Sequence, residues 1–147
     1  MRVAVIEDDV IFRTLVCRCV ERLEHTVVFT SDRLADFEAA LDTEPDAMFL
    51  DLNLTDANAA DVVRHLIEWT RNSQREDSPV VVLMTAEEVT ATKFAAAEVL
   101  NVIFWNKVEE TITDVIGKVT GKCRKRSSWR SSQLSDLLLQ RASLSPL

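Results

Sequence analysis

The chain has 147 residues, of which 47% are hydrophobic, and this length predicts one domain with a sizeable core. It contains no apolar stretch that could span a bilayer and no secretory leader, and its cysteines, Cys17, Cys19 and Cys123, lack metal-ligand spacing, so we expect a cytoplasmic protein with reduced thiols. The formal net charge of -7 divides into -13 for residues 1–116 (10 Lys and Arg, 23 Asp and Glu) and +6 for residues 117–147 (7 Lys and Arg, 1 Asp), which argues against nucleic-acid binding by the acidic body.

The first part of the chain predicts two strand–helix units. Residues 1–6 form an apolar run of strand length that leads into Glu7-Asp8-Asp9, and residues 10–23 repeat apolar positions at helical spacing. Residues 26–30 are a β-branched run that is typical of a second strand. Ser31 or Asp32 is predicted to cap the next helix, whose inward positions are Leu34, Phe37, Ala40 and Leu41.

The central strand is predicted at residues 47–50, where four apolar residues run directly into Asp51. A continuous apolar run suits a parallel strand that is covered by helices on both faces, and ligands of open α/β sheets bind at the carboxyl ends of the strands. Asp51 is therefore a candidate for chemistry, although an Asp at such a position also caps turns. Helices are predicted further along at residues 56–69, 87–100 and 109–119, a polar loop at 70–78, and strands at 79–84 and 102–105.

Strand followed by helix, five times over, predicts an α/β fold: a flavodoxin-like, doubly wound (βα)5 sheet of five parallel strands, within a domain at residues 1–120. The polar residues that follow strands one, three, four and five would then converge, and these are Glu7-Asp8-Asp9, Asp51, Thr85 and Lys107. Converging carboxylates repel one another unless a cation lies between them, and Mg²⁺ suits such oxygen ligands. A lysine and a hydroxyl beside an Asp–Mg²⁺ pair are what phosphoryl transfer to a carboxylate nucleophile requires.

With these residues in order, residues 1–119 resemble the receiver domain of two-component response regulators, of the chemotaxis-regulator kind. The matching features are the acidic run followed by Arg13, the strand that ends at Asp51, the pair Thr85-Ala86, the aromatic Phe104, and Lys107. The resemblance implies that Asp51 accepts a phosphoryl group, assisted by Thr85 and Lys107.

The resemblance also implies a Mg²⁺ site and a switch. Asp8 and Asp51 would bind Mg²⁺ directly, Asn53 through its backbone carbonyl, and Glu7 mainly through water. Alignment on Arg13 favours Glu7 and Asp8 as the metal-site pair, with Asp9 in place of Glu7 as the alternative. Thr85 and Phe104 match the family's switch positions, while plain core packing is the alternative for Phe104.

Several positions depart from the family pattern. Thr55 stands where the family usually has Pro, Ala59 where it has Gly, and Leu100 near a Gly that precedes the fifth strand. Val108 follows Lys107 where the family nearly always has a Pro joined by a cis bond. Because a cis bond before a residue other than Pro is costly, we expect the Lys107–Val108 bond to be trans or to be held by its surroundings.

The resemblance implies phosphate transfer from a histidine kinase or histidine phosphotransfer protein, and signalling through a downstream protein that binds the face of the fourth helix, fifth strand and fifth helix, with a homodimer also possible. It implies no enzyme activity beyond self-phosphorylation and autodephosphorylation. The alternatives are a receiver fragment of a larger regulator and a degenerate receiver that acts only as an interaction module. An aspartate-nucleophile hydrolase would need a second Asp two residues after Asp51, where Asn53 stands.

Residues 121–147 are predicted to be a basic tail. Gly117 and Gly121 bracket the predicted end of the last body helix, and residues 122–126 form a basic run for which a solvated linker is the more common explanation than nucleic-acid binding. A short amphipathic helix capped by Ser132 is predicted to place Leu134, Leu137, Leu138 and Arg141 on one side. The tail is either a disordered arm or a segment that docks, in the same chain or a second one, on a face that includes Glu87, Glu88, Glu98, Glu109 and Glu110.

Overall fold

One parallel sheet organises the structure, a computed structural model that describes residues 1–72, 78–86 and 102–144, without the side chains of 126–134 and 142–144. The strands, in the spatial order β2-β1-β3-β4-β5, are β1 (Arg2–Ile6), β2 (Thr26–Ser31), β3 (Ala47–Asp51), β4 (Val80–Thr85) and β5 (Ile103–Asn106). The described helices are α1 (Val10–Arg22), α2 (Phe37–Asp42, after a 3₁₀ turn at Leu34–Asp36), α3 (Ala59–Asn72) and α4 (Ile112–Leu144). The predicted flavodoxin-like α/β fold is confirmed. The predicted helix at 87–100 lies outside the described residues, as does most of the polar loop at 70–78.

Helices cover both faces of the sheet, and the alternation of side chains along each strand divides the core into two layers. In β1, Ala4 and Ile6 belong to the cluster beneath α2 and α3, whereas Val3 and Val5 belong to the cluster beneath α1 and α4. Every residue of β3 and β4 is buried, which explains why these strands are continuously apolar in the sequence. Because all five strands are parallel, the polar groups at their C-terminal ends lie at one edge of the sheet.

The start of α2 differs from the prediction, because its cap comes from a distant loop. Neither Ser31 nor Asp32 caps the helix. Instead, the carboxylate of Asp56 accepts hydrogen bonds from the backbone N–H groups of Leu34, at 2.8 Å, and Ala35, at 3.0 Å. This contact joins the β2–α2 loop to the β3–α3 loop, and α3 consequently begins at Ala59 rather than at residue 56 as predicted.

We expect Asp56→Ala to lower the free energy of unfolding by about 1 kcal/mol at neutral pH, because two backbone N–H groups lose their acceptor. Burial alone would raise the pKa of Asp56, but these N–H groups outweigh it and hold the pKa below the ordinary value of 3.8. The stabilisation is therefore present above this value and is lost as the pH falls through the folded-state pKa. Urea denaturation of the variant and the wild type, from neutral to acidic pH, measures the difference.

The matched control is Asp32→Ala, which removes an exposed carboxylate whose ion pair with Arg33 is 3.8 Å long. We expect it to change the free energy of unfolding by less than about 0.5 kcal/mol. A stability difference between Asp56→Ala and wild type that stays constant down to acidic pH would contradict the role of the charged cap.

The C-terminal part of the described chain is one helix of 33 residues rather than a body helix followed by a separate short one. The helix passes through Gly117 and Gly121, neither of which has a positive φ. A glycine costs a helix only about 1 kcal/mol, and the sequence from residue 122 to 144 contains no Pro to stop it. The division of the chain at residue 120 thus falls inside α4 and stays a prediction. None of the described helices is both long and apolar enough to cross a membrane.

Candidate functional site

Three carboxylates meet at the C-terminal edge of the sheet. Glu7 directly follows β1, Asp51 ends β3, and one oxygen atom from each of Glu7, Asp8 and Asp51 lies within 4.8 Å of the others. The side chain of Glu7 is fully buried, Asp51 is 5% exposed and Asp8 is half-buried. The structure thus brings together the acidic residues that the sequence predicts to converge.

Lys107 lies between two of these carboxylates. Its Nζ atom donates to Glu7 Oε2 at 2.7 Å and to Asp51 Oδ2 at 3.1 Å. Its backbone N–H donates to the carbonyl oxygen of Thr85 at 2.8 Å, which ties the loop after β5 to the end of β4. The side chain of Lys107 is only 14% exposed, so both ion pairs are largely shielded from water.

Burial and mutual repulsion dominate the electrostatics of the cluster. Burial raises the pKa of Glu7 to about 8, the neighbouring Asp51 raises it as well, and Lys107 acts in the opposite direction. Burial alone would lower the pKa of Lys107, but its contacts with Glu7 and Asp51 raise it overall. When all three carboxyl groups are ionised, one ammonium group does not balance their charge, and such a set of hard oxygen donors fits Mg²⁺.

Glu7 and Asp9 of the acidic run make different hydrogen bonds. Glu7 uses both carboxylate oxygens within the protein, since Oε1 accepts from the backbone N–H of Asp9 at 3.1 Å and Oε2 accepts from Lys107. Asp9 caps α1, because its Oδ1 atom accepts from the backbone N–H of Phe12 at 3.0 Å. The described oxygen cluster thus contains Glu7 and Asp8, whereas Asp9 is bonded at the start of α1.

The remaining predicted site residues surround Asp51 at different depths. The backbone N–H of Asn53 donates to Asp51 Oδ1 at 3.0 Å, while the Asn53 side chain is exposed. Thr85 ends β4, is 7% exposed and lies level with Asn106 of β5. Phe104 is half-buried on β5 and packs against the core cluster beneath α2 and α3. Its predicted switch role and its alternative of plain core packing both remain compatible with this position.

The loop that carries Lys107 is held by hydrogen bonds rather than by a proline. The Lys107–Val108 bond is trans, since no cis peptide bond occurs in the described ranges. The side-chain Oδ1 of Asn106 accepts from the backbone N–H of Val108 at 2.9 Å, and the indole N–H of Trp105 donates to the carbonyl oxygen of Glu110 at 3.0 Å. Asn is a common residue in such local turns, so Asn106 could have been found from the sequence.

Two residues of the first turn of α1 also support the site, and their contacts were not predicted. The Nζ atom of Lys107 lies 4.4 Å from the ring centroid of Phe12, an arrangement in which the ring attracts the cation. Arg13 donates from Nη1 to the backbone carbonyl oxygen of Glu7 at 2.6 Å. Several strands and helices separate Phe12 from Lys107 in the chain, and the turn after β1 separates Arg13 from Glu7. Periodicity alone therefore does not reveal these contacts.

Comparison with known proteins identifies the fold. No family model matches the sequence, and a search of curated proteins finds no match. Among solved structures, the signal receiver domain of the response regulator NarL from Mycobacterium tuberculosis is similar at 22% identity and a TM-score of 0.66, covering 84% of this chain and 95% of that one.

Two further structures are similar over a comparable share of the chain. The signal receiver domain of a modulated diguanylate cyclase from Desulfovibrio desulfuricans has 18% identity and a TM-score of 0.69, with 86% of this chain and 95% of that chain covered. The response regulator domain of CheB from Thermotoga maritima has 20% identity and a TM-score of 0.62, with the same shares covered, 86% and 95%. The chain therefore has the receiver-domain fold.

Proposed function

We propose that this chain is the receiver of a two-component or phosphorelay system, and that Asp51 accepts a phosphoryl group in a Mg²⁺-dependent reaction. The observation that carries the proposal is the position of Lys107 at the C-terminal edge of the sheet. Its Nζ atom donates hydrogen bonds to both Glu7 and Asp51. A buried lysine, a cluster of carboxylates and a buried threonine around one terminal Asp are the groups that phosphoryl transfer to a carboxylate uses.

Each residue of the site has a separate role in the proposed reaction. A carboxylate oxygen of Asp51 attacks the phosphorus atom of the donor, and the bond between phosphorus and the donor's leaving group breaks. The ammonium group of Lys107 offsets negative charge on the phosphoryl oxygens, and the hydroxyl of Thr85 donates a hydrogen bond to one of them. Mg²⁺, held by Asp8, Asp51 and the backbone carbonyl of Asn53, with Glu7 acting through water, would add positive charge beside the same oxygens.

Exposed apolar side chains beside the site support a protein as phosphodonor. Val10, Ile11 and Leu15 of α1 are 61%, 83% and 48% exposed, and Val108, next to Lys107, is 79% exposed. These residues lie on the two elements that flank the carboxylates, so a partner that covers them would also exclude water from Asp51. We propose a histidine kinase or a histidine phosphotransfer protein as this donor.

The proposed output is binding of a downstream protein rather than catalysis on a separate substrate. The surface would include β5, the first turns of α4 and the loop between them, in which Glu109 is exposed and Glu110 half-buried. Glu87, Glu88 and Glu98, which were predicted to belong to this face, lie outside the described residues. The further activities that we propose are limited to self-phosphorylation and autodephosphorylation.

A receiver that is never phosphorylated is the second candidate, favoured by the departures from the family pattern at Thr55, Ala59 and Val108. Against it, Asn106 holds the Lys107 loop in place of the usual proline, so that the amine still reaches Asp51 at 3.1 Å. Phosphorylation by acetyl phosphate distinguishes the two candidates, because an inactive receiver takes up no phosphate.

The wild-type chain, incubated with acetyl phosphate and Mg²⁺, is expected to gain one phosphoryl group that is labile to base and to hydroxylamine. Without Mg²⁺ the charge of the three carboxylates opposes an incoming phosphate, so the EDTA-treated sample is expected to stay unlabelled. Intact-protein mass spectrometry measures both. An unchanged mass with Mg²⁺, or equal labelling in EDTA, would contradict the proposed function.

A further inference from the structure

The helix α4 continues far beyond the body of the protein. Its first turns are anchored by Val115, Ile116 and Val119, which are buried in the core. Cys123 is half-buried, and its Sγ atom lies 3.8 Å from the backbone oxygen of Asp46, which precedes β3. The helix therefore leaves the body at the edge of the sheet opposite to the acidic site. Residues 124–144, here termed the extension, are long enough to project by about 30 Å.

The extension exposes apolar side chains that a lone helix cannot bury. Each described side chain after Cys123 is exposed, and Leu137, Leu138 and Leu139 are 58%, 65% and 68% exposed. Helices in proteins owe most of their stability to the packing of an apolar face. A partner for the extension is therefore expected, and the charges of the chain indicate which partner.

We infer that the extension pairs with the extension of a second copy of this chain, in antiparallel orientation. The charges are unevenly distributed along residues 122–144. Residues 122–130 carry five positive charges and no negative one, whereas residues 134–144 carry one of each, at Asp136 and Arg141. A parallel pair sets the two basic segments against each other, while an antiparallel pair sets each against the neutral, leucine-rich half of its partner.

The second charge argument concerns the two bodies. Residues 1–116 carry a net charge of -13, and a parallel pair would bring two such bodies side by side. An antiparallel pair holds them apart by the length of the extension, about 30 Å, which is several times the screening length of about 10 Å at about 0.1 M salt.

The edge of the body from which α4 emerges also suits the tip of a partner's extension. It carries Leu23, which is 38% exposed, and five exposed carboxylates against two exposed arginines, Arg2 and Arg22. These carboxylates belong to Glu21, Glu24, Asp42, Glu44 and Asp46. In the antiparallel pair the last turn of one extension, residues 141–144, approaches this edge of the other copy.

Full overlap of the two extensions sets the register. The midpoint of residues 124–144 is Leu134, which then lies on the two-fold axis, so that Ser127 of one copy is level with Arg141 of the other. Helical spacing places positions 127, 134, 138 and 141 on one side of α4, and places Leu139 about 130° away from its centre. The pairing does not depend on phosphorylation of Asp51.

The first test compares two neighbouring leucines of similar exposure, in the full-length chain. Light scattering over a concentration series is expected to show a wild-type dimer. Leu138→Lys, on the paired side, is expected to raise its dissociation constant by at least about tenfold, and Leu139→Lys, on the far side, to leave it nearly unchanged. A wild type that is monomeric at every concentration, or equal effects of the two variants, overturns the inference. Labelling by acetyl phosphate stays at the wild-type level in both variants, which separates this inference from the proposed function.

The second test determines orientation by disulfide trapping, with Cys17, Cys19 and Cys123 replaced by Ser. The antiparallel pair predicts that Leu134→Cys alone forms a covalent dimer, that Ser127→Cys alone and Arg141→Cys alone do not, and that a mixture of the last two does. A parallel pair would link each single variant to itself. Self-linking of Ser127→Cys, or failure of both Leu134→Cys and the mixture to link, overturns the arrangement.

Discussion

Asp51→Asn is expected to abolish phosphorylation by acetyl phosphate in the presence of Mg²⁺, the largest effect that we predict for this chain. The amide lacks the anionic oxygen that attacks phosphorus, while its size leaves the surrounding strand end unchanged. The same substitution removes one of the oxygen ligands proposed for Mg²⁺ and one of the two acceptors of the Lys107 amine, at 3.1 Å. Mass spectrometry of the intact protein over a time course measures the loss.

The matched control is Asp56→Asn, five residues further along, in the loop that follows β3. Both carboxylate oxygens of Asp56 are bonded to backbone N–H groups of Leu34 and Ala35, and the residue is exposed. We therefore expect labelling within about twofold of wild type for this variant. Equal labelling of Asp51→Asn and wild type would remove Asp51 as the acceptor.

Lys107→Met is expected to lower the free energy of unfolding by about 3 kcal/mol in EDTA, because it leaves Glu7 and Asp51 buried without their shared cation. Added Mg²⁺ is expected to recover much of this loss, since the metal supplies positive charge to the same carboxylates and binds only the folded state. Denaturant unfolding with EDTA and with Mg²⁺ measures both effects.

Two further variants control for the length and charge of the lysine. Lys118→Met breaks an exposed ion pair with Glu110, at 2.6 Å, and is expected to cost less than about 1 kcal/mol. Adding Asp51→Asn to Lys107→Met is expected to restore stability in EDTA, because one of the two buried charges is gone. If Lys107→Met and Lys118→Met lost equal stability, the buried cluster would not have the energetic role that we give it.

Patterns that act between near neighbours were readable from the sequence. The run of apolar residues before Asp51 predicts a strand covered on both faces, and β3 is buried along its whole length. Because parallel strands end at one edge, the positions of Glu7, Asp8, Asp51 and Lys107 directly after strands were enough to predict that they meet. Periodicity and strand-end chemistry therefore determined the fold class and the composition of the site.

The limits of the helices were less readable, because competing local preferences nearly cancel. Gly117 and Gly121 indicated a helix end, yet α4 continues to Leu144. A glycine weakens a helix by an amount that several good helix formers offset, and only a backbone that turns or a proline stops it. The short helix predicted from Ser132 is part of α4, and its continuity with the body helix was not predicted.

The partners of individual polar groups were decided by the tertiary structure alone. Asp56 caps a turn that begins 22 residues earlier in the chain, and the ring of Phe12 lies beside the amine of Lys107, 95 positions away. Likewise, only the packed structure shows that Asp9 caps α1 while Glu7 bonds to Lys107. A run of apolar residues identifies its own element, but a carboxylate can accept from any N–H group that reaches it. Which group reaches it depends on the loops that the sheet brings together.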